Sequence, residues 1–340
     1  MTPIADPGLP GYRAVATIYN AWMTGLVLSL ISRHGGGVAS EFVFRHFRRQ
    51  HLEKFLPGLK KLGLDTQPHA VACALYHYHS NALGGVKTEY FRASDRKAWV
   101  RYPPPRWIWR GASICAIPRE VNEAMLHGWH GHNGVSLGNP RLGFVCTGQT
   151  VNGDAGLEGY YLEHDHPVGE NERVRFARDE RMPHVDAKEQ PKLDRSGWPP
   201  QRLHKTYRSY AMEYVRTFMP VLAEQLGSLM AMAEIGRTAR LIGLHYFDET
   251  FEQVGATDFG TYLGQILAAQ GEQVTLDADR TTLHQDGWRL MRGVSFSHPQ
   301  ARIAAIAAWS ELWRGALAAY DRRLHLSCET VGERLAWTIS

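Results

Sequence analysis

Stretches of helical hydrophobic periodicity alternate along the chain with short runs in which polar and apolar residues alternate. The helical pattern predicts three helices in each half of the chain, at 18–32, 41–62, 69–83, 207–226, 230–253 and 260–270. Each set of helices is followed by a polar strand pair whose second strand ends on a tryptophan, Trp99 or Trp288. A helix that begins after a proline and closing strands come next. The order of the predicted elements therefore repeats.

Three pairs of residues occupy matching places in the two halves: Trp99 with Trp288, Trp129 with Trp309, and Thr150 with Thr330. The second and third pairs share one offset, and the larger offset of the first is explained by a short insertion at 103–109 in the first half. We interpret the chain as α+β, with two tandem copies of an antiparallel sheet that helices cover on one face. Two unrelated α+β halves are the alternative.

A charged, proline-rich segment separates the two halves. It has neither the period of a strand nor that of a helix, which is typical of a linker. The predicted domains are therefore a first copy at 1–166, a linker at 167–205 and a second copy at 206–340.

The composition narrows the class of protein. The chain is 44% hydrophobic and 21% charged, which excludes a disordered scaffold, and its net charge of +4 is too small for general nucleic-acid binding. Its four cysteines are widely spaced, and its longest apolar stretch, 21–32, is too short to cross a bilayer. With no secretory signal at the N-terminus, we expect a cytoplasmic protein that binds neither nucleic acid nor membrane. Formation of a homo-oligomer stays open.

Three histidines at the end of a predicted helix are the first candidate for chemistry. His127 and His130 are three residues apart and so share a helix face, and His132 follows where glycines are expected to unwind the backbone. These glycines are Gly128, Gly131 and Gly134. Three imidazoles could bind Zn²⁺ or another divalent ion with one position open for water. Alternatively, the histidines act as metal-free acids and bases, or they only cap carbonyl groups or face water.

The second half lacks these histidines. At the matching positions it has Ala307, Ser310 and Leu312, none of which can replace an imidazole as ligand or base. The sequence therefore predicts that only the first copy contains the reactive residues of a pocket.

A β-hairpin with its turn at Asn152-Gly153 carries two further candidates. The second strand is predicted to alternate, with Glu158, Tyr160 and Leu162 on one face and Gly159, Tyr161 and Glu163 on the other. Burial would suit Glu158 to proton transfer, or it is an exposed strand carboxylate. Cys146 on the first strand is either a nucleophile beside a histidine or a buried, inert thiol. The aromatic residues near these positions are candidates for substrate binding: Trp107, Trp129 and Tyr160.

The run Trp99-Val-Arg-Tyr-Pro, a helix and the closing hairpin resemble the L-2-amino-thiazoline-4-carboxylate hydrolase family, which is related to the 4-vinyl-reductase-like ligand-binding domains. The resemblance covers about residues 40–163. The matching hairpin residues are Thr147, Thr150, Gly153, Asp154 and Glu158. The cysteine pairs common in that family are absent here, which argues against a cysteine-based mechanism.

The resemblance implies hydrolytic opening of a small nitrogen heterocycle or of a related C–N bond. We expect a small-molecule hydrolase in which a metal or a histidine activates water and Glu158 transfers the proton. The alternative is a non-catalytic small-molecule-binding or sensor protein, because the related domains bind ligands without chemistry. A structural subunit of a larger enzyme is a third option.

Overall fold

A computed structural model describes residues 1–104, 111–192, 198–296 and 298–340. Within these residues the fold is α+β, with eight helices and two five-stranded sheets. The helices are α1 (Leu9–Lys61), α2 (His69–Leu83), α3 (Arg119–Gly128), α4 (Asn133–Ser136), α5 (Pro200–Leu226), α6 (Ser228–Val254), α7 (Phe259–Ala269) and α8 (Pro299–Tyr320). The strands are β1 (Thr2–Pro3), β2 (Glu89–Arg92), β3 (Lys97–Tyr102), β4 (Leu142–Gly148), β5 (Leu157–Glu163), β6 (Val174–Phe176), β7 (Val274–Leu276), β8 (Thr282–Gln285), β9 (Leu326–Val331) and β10 (Arg334–Ile339).

The chain divides into two compact units. Unit 1 comprises Met1–Ser29 and Pro200–Ser340, and unit 2 comprises Leu30–Pro199. These bounds differ from the predicted domains, because the N-terminal part of α1 belongs to the unit that contains the C-terminal half of the chain.

The two helices predicted at 18–32 and 41–62 are one long element, α1, interrupted only at Gly35, which has a positive φ of 85°. Pro57 lies inside the helix. By length and composition α1 could cross a membrane, but half of its most apolar window is buried in the protein, as in a core helix. The other predicted helices match α2, α5, α6 and α7 closely.

The sheet of unit 2 has the order β2-β3-β5-β4-β6. All neighbours are antiparallel except β6, which runs parallel to β4. Helix α2 covers one face, where His77 stacks on Tyr161 at 5.9 Å between ring centroids. The segment after β6 covers the other face, where Met182 packs with Trp99 and Tyr160. Part of the predicted linker at 167–205 is therefore an integral layer of unit 2.

The sheet of unit 1 has the order β1-β7-β8-β10-β9 and is antiparallel throughout. Helix α8 covers one face, with the rings of Trp309 and Trp337 5.5 Å apart. Helix α6 packs closely on α8, because a Cβ at Gly243 would lie on the carbonyl oxygen of Leu312. The predicted strand position of Trp288 is wrong: β8 ends at Gln285, and Trp288 precedes a short 3₁₀ turn.

Four strands of each sheet follow the same path. In each unit a helix leads into a strand pair, a second helix follows, and a hairpin closes the sheet with its last strand next to the second strand of the pair. The strand orders β2-β3-β5-β4 and β7-β8-β10-β9 are equivalent.

Candidate functional site

A groove on unit 2 brings together two of the histidines singled out from the sequence. It has a volume of about 580 Å³ and lies between α1, α3 and the segment before β6. This size is within the range of small-molecule sites, roughly 300–1,000 Å³. His127 and His132 line it together with Glu123.

The groove histidines are placed by a break in the helix. Helix α3 ends at Gly128, and the chain continues through a 3₁₀ turn at His130–His132. The Nδ1 atom of His132 lies 2.8 Å from the carbonyl oxygen of His127, so the turn folds back on the end of the helix. His127 and His132 reach the same groove from two different elements.

Helix α3 ends at Gly128, as the sequence predicts, and the glycines of this segment also allow close packing. None of Gly128, Gly131 and Gly134 has a positive φ. A Cβ at Gly128 would lie 2.6 Å from the carbonyl oxygen of Phe44 on α1, and one at Gly134 would lie 2.6 Å from that of Leu142. These contacts leave no room for a side chain, so α1 and β4 approach the turn at van der Waals distance.

Both groove histidines favour the neutral form. Burial lowers the pKa of His127, and the nearby Glu123 opposes the shift. Burial also lowers the pKa of His132, with further lowering by Arg48 and Arg173. At neutral pH both imidazoles are therefore uncharged, and because Nδ1 of His132 donates to the His127 carbonyl oxygen, the Nε2 atom of His132 is an acceptor.

Carboxylates from two helices complete the groove. Glu41 pairs with Arg45 at 2.5 Å, and the Glu123 carboxylate lies 3.2 Å from Arg119. Glu123 also accepts a hydrogen bond from the Gln149 amide at 3.1 Å. The groove thus combines fixed acceptors with neutral imidazoles, which suits a small polar ligand.

His130 is not part of this groove. It is buried and stacks on His77 at 4.3 Å between centroids, with Phe144 at 4.5 Å. His132 instead contacts Phe44 of α1. The predicted three-histidine metal site is therefore not formed, because His130 turns toward the sheet while its neighbours line the groove. Throughout 1–104, 111–192, 198–296 and 298–340, no group of three or more His, Cys, Asp or Glu side chains is arranged to hold a metal ion.

Glu158 lies on the opposite face of the sheet from His130. Its carboxylate accepts hydrogen bonds from the Thr147 hydroxyl and the Met182 backbone N–H, both at 2.9 Å, and lies 3.8 Å from Arg101. Because side chains alternate along a strand, Glu158 faces the Met182 segment, whereas Tyr161 faces His130. The prediction that Glu158 and His130 share a site is wrong, although the predicted alternation of β5 is confirmed.

Cys146 is buried, and its Sγ donates to the carbonyl oxygen of Gly148 at 3.5 Å. A buried thiol bonded to backbone matches the inert alternative better than an activated nucleophile, which needs a thiolate and access.

The predicted substrate-binding aromatics lie in packing clusters. Trp129 packs against Tyr76 and His51, with centroids 6.2 and 5.6 Å away. Tyr160 packs on Trp99 at 4.5 Å and donates its hydroxyl to Glu180 at 2.9 Å. Neither lines the groove. Trp107 lies outside the described residues.

The carboxylates of the groove were not predicted from the sequence. Glu120, Glu123 and His127 follow an i, i+3, i+7 pattern, which places them on one face of α3 and was readable from the sequence. Glu41 has no such signal, because it reaches the groove only when α1 packs against α3.

No known family model, curated protein or solved structure matches this chain. The resemblance to the thiazoline carboxylate hydrolases thus rests on the hairpin and tryptophan motifs alone and stays a prediction.

Proposed function

We propose that unit 2 is a small-molecule-binding domain whose ligand occupies the groove between α1 and α3. One observation carries this proposal: His127 and His132, from two different elements, line a groove of about 580 Å³ together with the carboxylate of Glu123. A pocket of this size with a few convergent polar groups is the usual form of a ligand site.

The lining groups favour a ligand that both donates and accepts hydrogen bonds. The carboxylates of Glu41 and Glu123 accept, and the guanidinium of Arg173 donates. The neutral His127 imidazole can do both, and the His132 imidazole accepts at Nε2 because its Nδ1 donates to the His127 carbonyl oxygen. Small nitrogen heterocycles and amides carry both kinds of group. They are therefore the class of ligand that we propose.

A second candidate function is hydrolysis of a C–N bond in such a ligand. The observation that favours it is the neutral His127 beside Glu123, since burial lowers its pKa while the carboxylate opposes the shift. A neutral imidazole can take one proton from a water whose oxygen attacks the carbon of the C–N bond, and the resulting imidazolium, oriented by a carboxylate, can give that proton to the nitrogen that leaves as the C–N bond breaks. In this scheme Glu123 replaces Glu158.

A Zn²⁺ or other divalent ion does not fit the groove as it stands. His127 and His132 supply two imidazoles, and the third predicted ligand, His130, packs in the core. We therefore derive no step through a metal.

We also propose that the two units descend from one duplicated unit. The shared order of four strands supports this, as does the position of Trp129 and Trp309 on the helix that joins the two strand pairs, at the end of α3 and within α8. If so, one copy carries the groove histidines and the other has become a packed scaffold.

Titration with L-2-amino-thiazoline-4-carboxylate and a panel of small cyclic amides tests the proposed function. We expect at least one probe to raise the unfolding temperature of the full chain. The double variant His127→Gln/His132→Gln should weaken binding at least tenfold, and His245→Gln, an exposed histidine of unit 1, should not.

Mass spectrometry of the same mixtures separates the two candidates. A probe that gains the elements of water supports hydrolysis, and a bound but unchanged probe supports the binding domain. Binding that survives in the double variant would contradict the groove as the site.

A further inference from the structure

The groove of unit 2 has a direction, because the two helices that line it run side by side in the same sense. A Cβ at Gly36 of α1 would lie 2.8 Å from Oε1 of Glu120 on α3. A Cβ at Gly128, at the other end of α3, would lie 2.6 Å from the carbonyl oxygen of Phe44 on α1. Both helices therefore pass along the groove from its Glu120 end to its Phe44 end. Between Glu120 and His127, helix α3 rises by about 10 Å.

Carboxylates line the groove toward its Glu120 end. Glu120 comes first on α3, Glu123 follows about one helical turn later, and Glu41 lines the groove from α1. The arginines that pair with the last two, Arg119 and Arg45, are not among the residues that line the groove. Glu120 itself is exposed, and its carboxylate has no cation or hydrogen-bond donor beside it in the described part of the chain. This end of the groove therefore favours a cationic group.

Guanidinium groups mark the other end. Arg173 lines the groove beside Gly131, where an added Cβ would lie 3.6 Å from Cβ of Arg173. Arg48 lies on the same side, since it and Arg173 both lower the pKa of His132. Glu170 also lies here, but its side chain is 81% exposed and its carboxylate is 3.9 Å from Arg173, so it compensates that charge only weakly. This end therefore favours an anionic group.

The middle of the groove is polar without being charged. His127 lies there, and burial lowers its pKa, so the ring is neutral at neutral pH. A neutral imidazole can donate to a carbonyl oxygen or accept from an N–H group. An amide offers both groups, so it suits the space between the two charged ends.

We propose that the ligand of this groove is a zwitterionic amide, with an ammonium group at Glu120 and a carboxylate at Arg173, about 10 Å apart. The inference rests on the ligand site proposed above, and it narrows the proposed amides to those that carry both charges. Three residues of extended peptide span roughly 10 Å. A tripeptide therefore has the chemistry and the length that the groove requires.

Calorimetric titration of the full chain with triglycine tests the proposal. We expect saturable binding of triglycine. Acetyl-triglycine has lost the ammonium charge and triglycine amide has lost the carboxylate, so each should bind at least about tenfold more weakly. Diglycine keeps both charges but is shorter by roughly 3.5 Å, and it should also bind more weakly. No binding of triglycine, or equally tight binding of either blocked peptide, would overturn the proposal.

Two variants assign each charge of the peptide to one end of the groove. Glu120→Gln should weaken binding of triglycine about tenfold and leave acetyl-triglycine unchanged, because that peptide has no ammonium group to lose a partner. Arg173→Gln should weaken triglycine in the same way and leave triglycine amide unchanged. The matched controls are Glu189→Gln and Arg178→Gln, at exposed positions of unit 2 outside the groove. Equal losses for free and blocked peptides would contradict the assignment.

The double variant His127→Gln/His132→Gln separates this inference from the proposed function. If triglycine does not bind, but another amide does and the double variant weakens it, the zwitterionic ligand is overturned and the groove remains the ligand site. If triglycine binds the double variant as tightly as it binds the unaltered chain, both proposals are overturned.

Discussion

Units 1 and 2 share the order of four strands, but different side chains fill their cores. In unit 1 the helix-facing layer is built from indoles: Trp309 donates to the Tyr19 hydroxyl and Trp337 to the Gln285 side chain, both at 3.1 Å. In unit 2 the layer is built from imidazoles and phenyl rings, with His130 between His77 and Phe144. An indole has one hydrogen-bond donor and a larger volume, so it can fill a hydrophobic core. An imidazole has an acceptor as well as a donor, and it carries a titratable proton.

The orphaned polar atoms differ in the same way. Beside Trp309, the indole N–H groups of Trp288 and Trp313 have no partner within the described residues, and both are donors. In unit 2 the buried, neutral imidazole of His77 can accept as well as donate. The comparison indicates that indoles build the helix-facing layer of unit 1 and imidazoles that of unit 2.

The largest expected difference between the units is in acid. The pKa of each of His46, His51 and His77 is lowered to about 3, chiefly by burial. The unfolded chain binds these protons near pH 6.5 and the folded chain does not, so stability is lost as the pH falls from 6.5 toward 3. At pH 4.5 the loss is up to about 3 kcal/mol per histidine.

Unit 1 should respond with the opposite sign. Burial raises the pKa of Glu272, so its folded form gains a proton before the unfolded form does and is favoured as the pH falls. Hydrogen exchange at pH 7.5 and 4.5, read on peptides from α2 and α8, measures both responses. Equal loss of protection in the two units would contradict the comparison.

Removing an indole tests the packed interior. Trp309 is fully buried against Trp288 and Trp337. We expect Trp309→Ala to lower the free energy of unfolding by about 3–5 kcal/mol, because a large cavity opens and a hydrogen bond is lost. Denaturant titration measures the change. A loss below about 1 kcal/mol would show that α8 does not depend on this layer.

The glycine at the end of α3 tests the close packing that shapes the groove. Gly128→Ala should destabilise the protein by about 1–3 kcal/mol, because the new methyl group meets the backbone of Phe44 at 2.6 Å. Gly37→Ala on α1 is the matched control, since nothing lies within 4 Å of its added Cβ. Equal unfolding midpoints for the two variants would rule out the steric account.

The smallest effect is expected at Glu158. The substitution Glu158→Gln keeps an acceptor for Thr147 and Met182 but loses the charge that faces Arg101, which also pairs with Glu89. We expect a loss of about 1 kcal/mol in the free energy of unfolding and unchanged binding in the groove. Weakened ligand binding in this variant would show that Glu158 contributes to the ligand site after all.

The sequence predicted elements better than it predicted the site, for a physical reason. Helix α2 was expected at its observed bounds, because periodicity is a local property of the chain. The alternation of β5 was also correct, but the sequence does not say which face meets a helix, so Glu158 was placed with His130. The prediction that three histidines converge was wrong because α3 ends at Gly128, where packing against α1 determines the course of the backbone.

The central claim is that His127 and His132 form a ligand site in unit 2. It is tested most directly by ¹⁵N-imidazole NMR of the full chain during titration with L-2-amino-thiazoline-4-carboxylate or with the cyclic amide that binds best. We expect saturable shifts at the ring nitrogens of these two histidines and none at His245 and His325 of unit 1. Shifts confined to unit 1, or no shift at His127 and His132 while a probe binds, would contradict it.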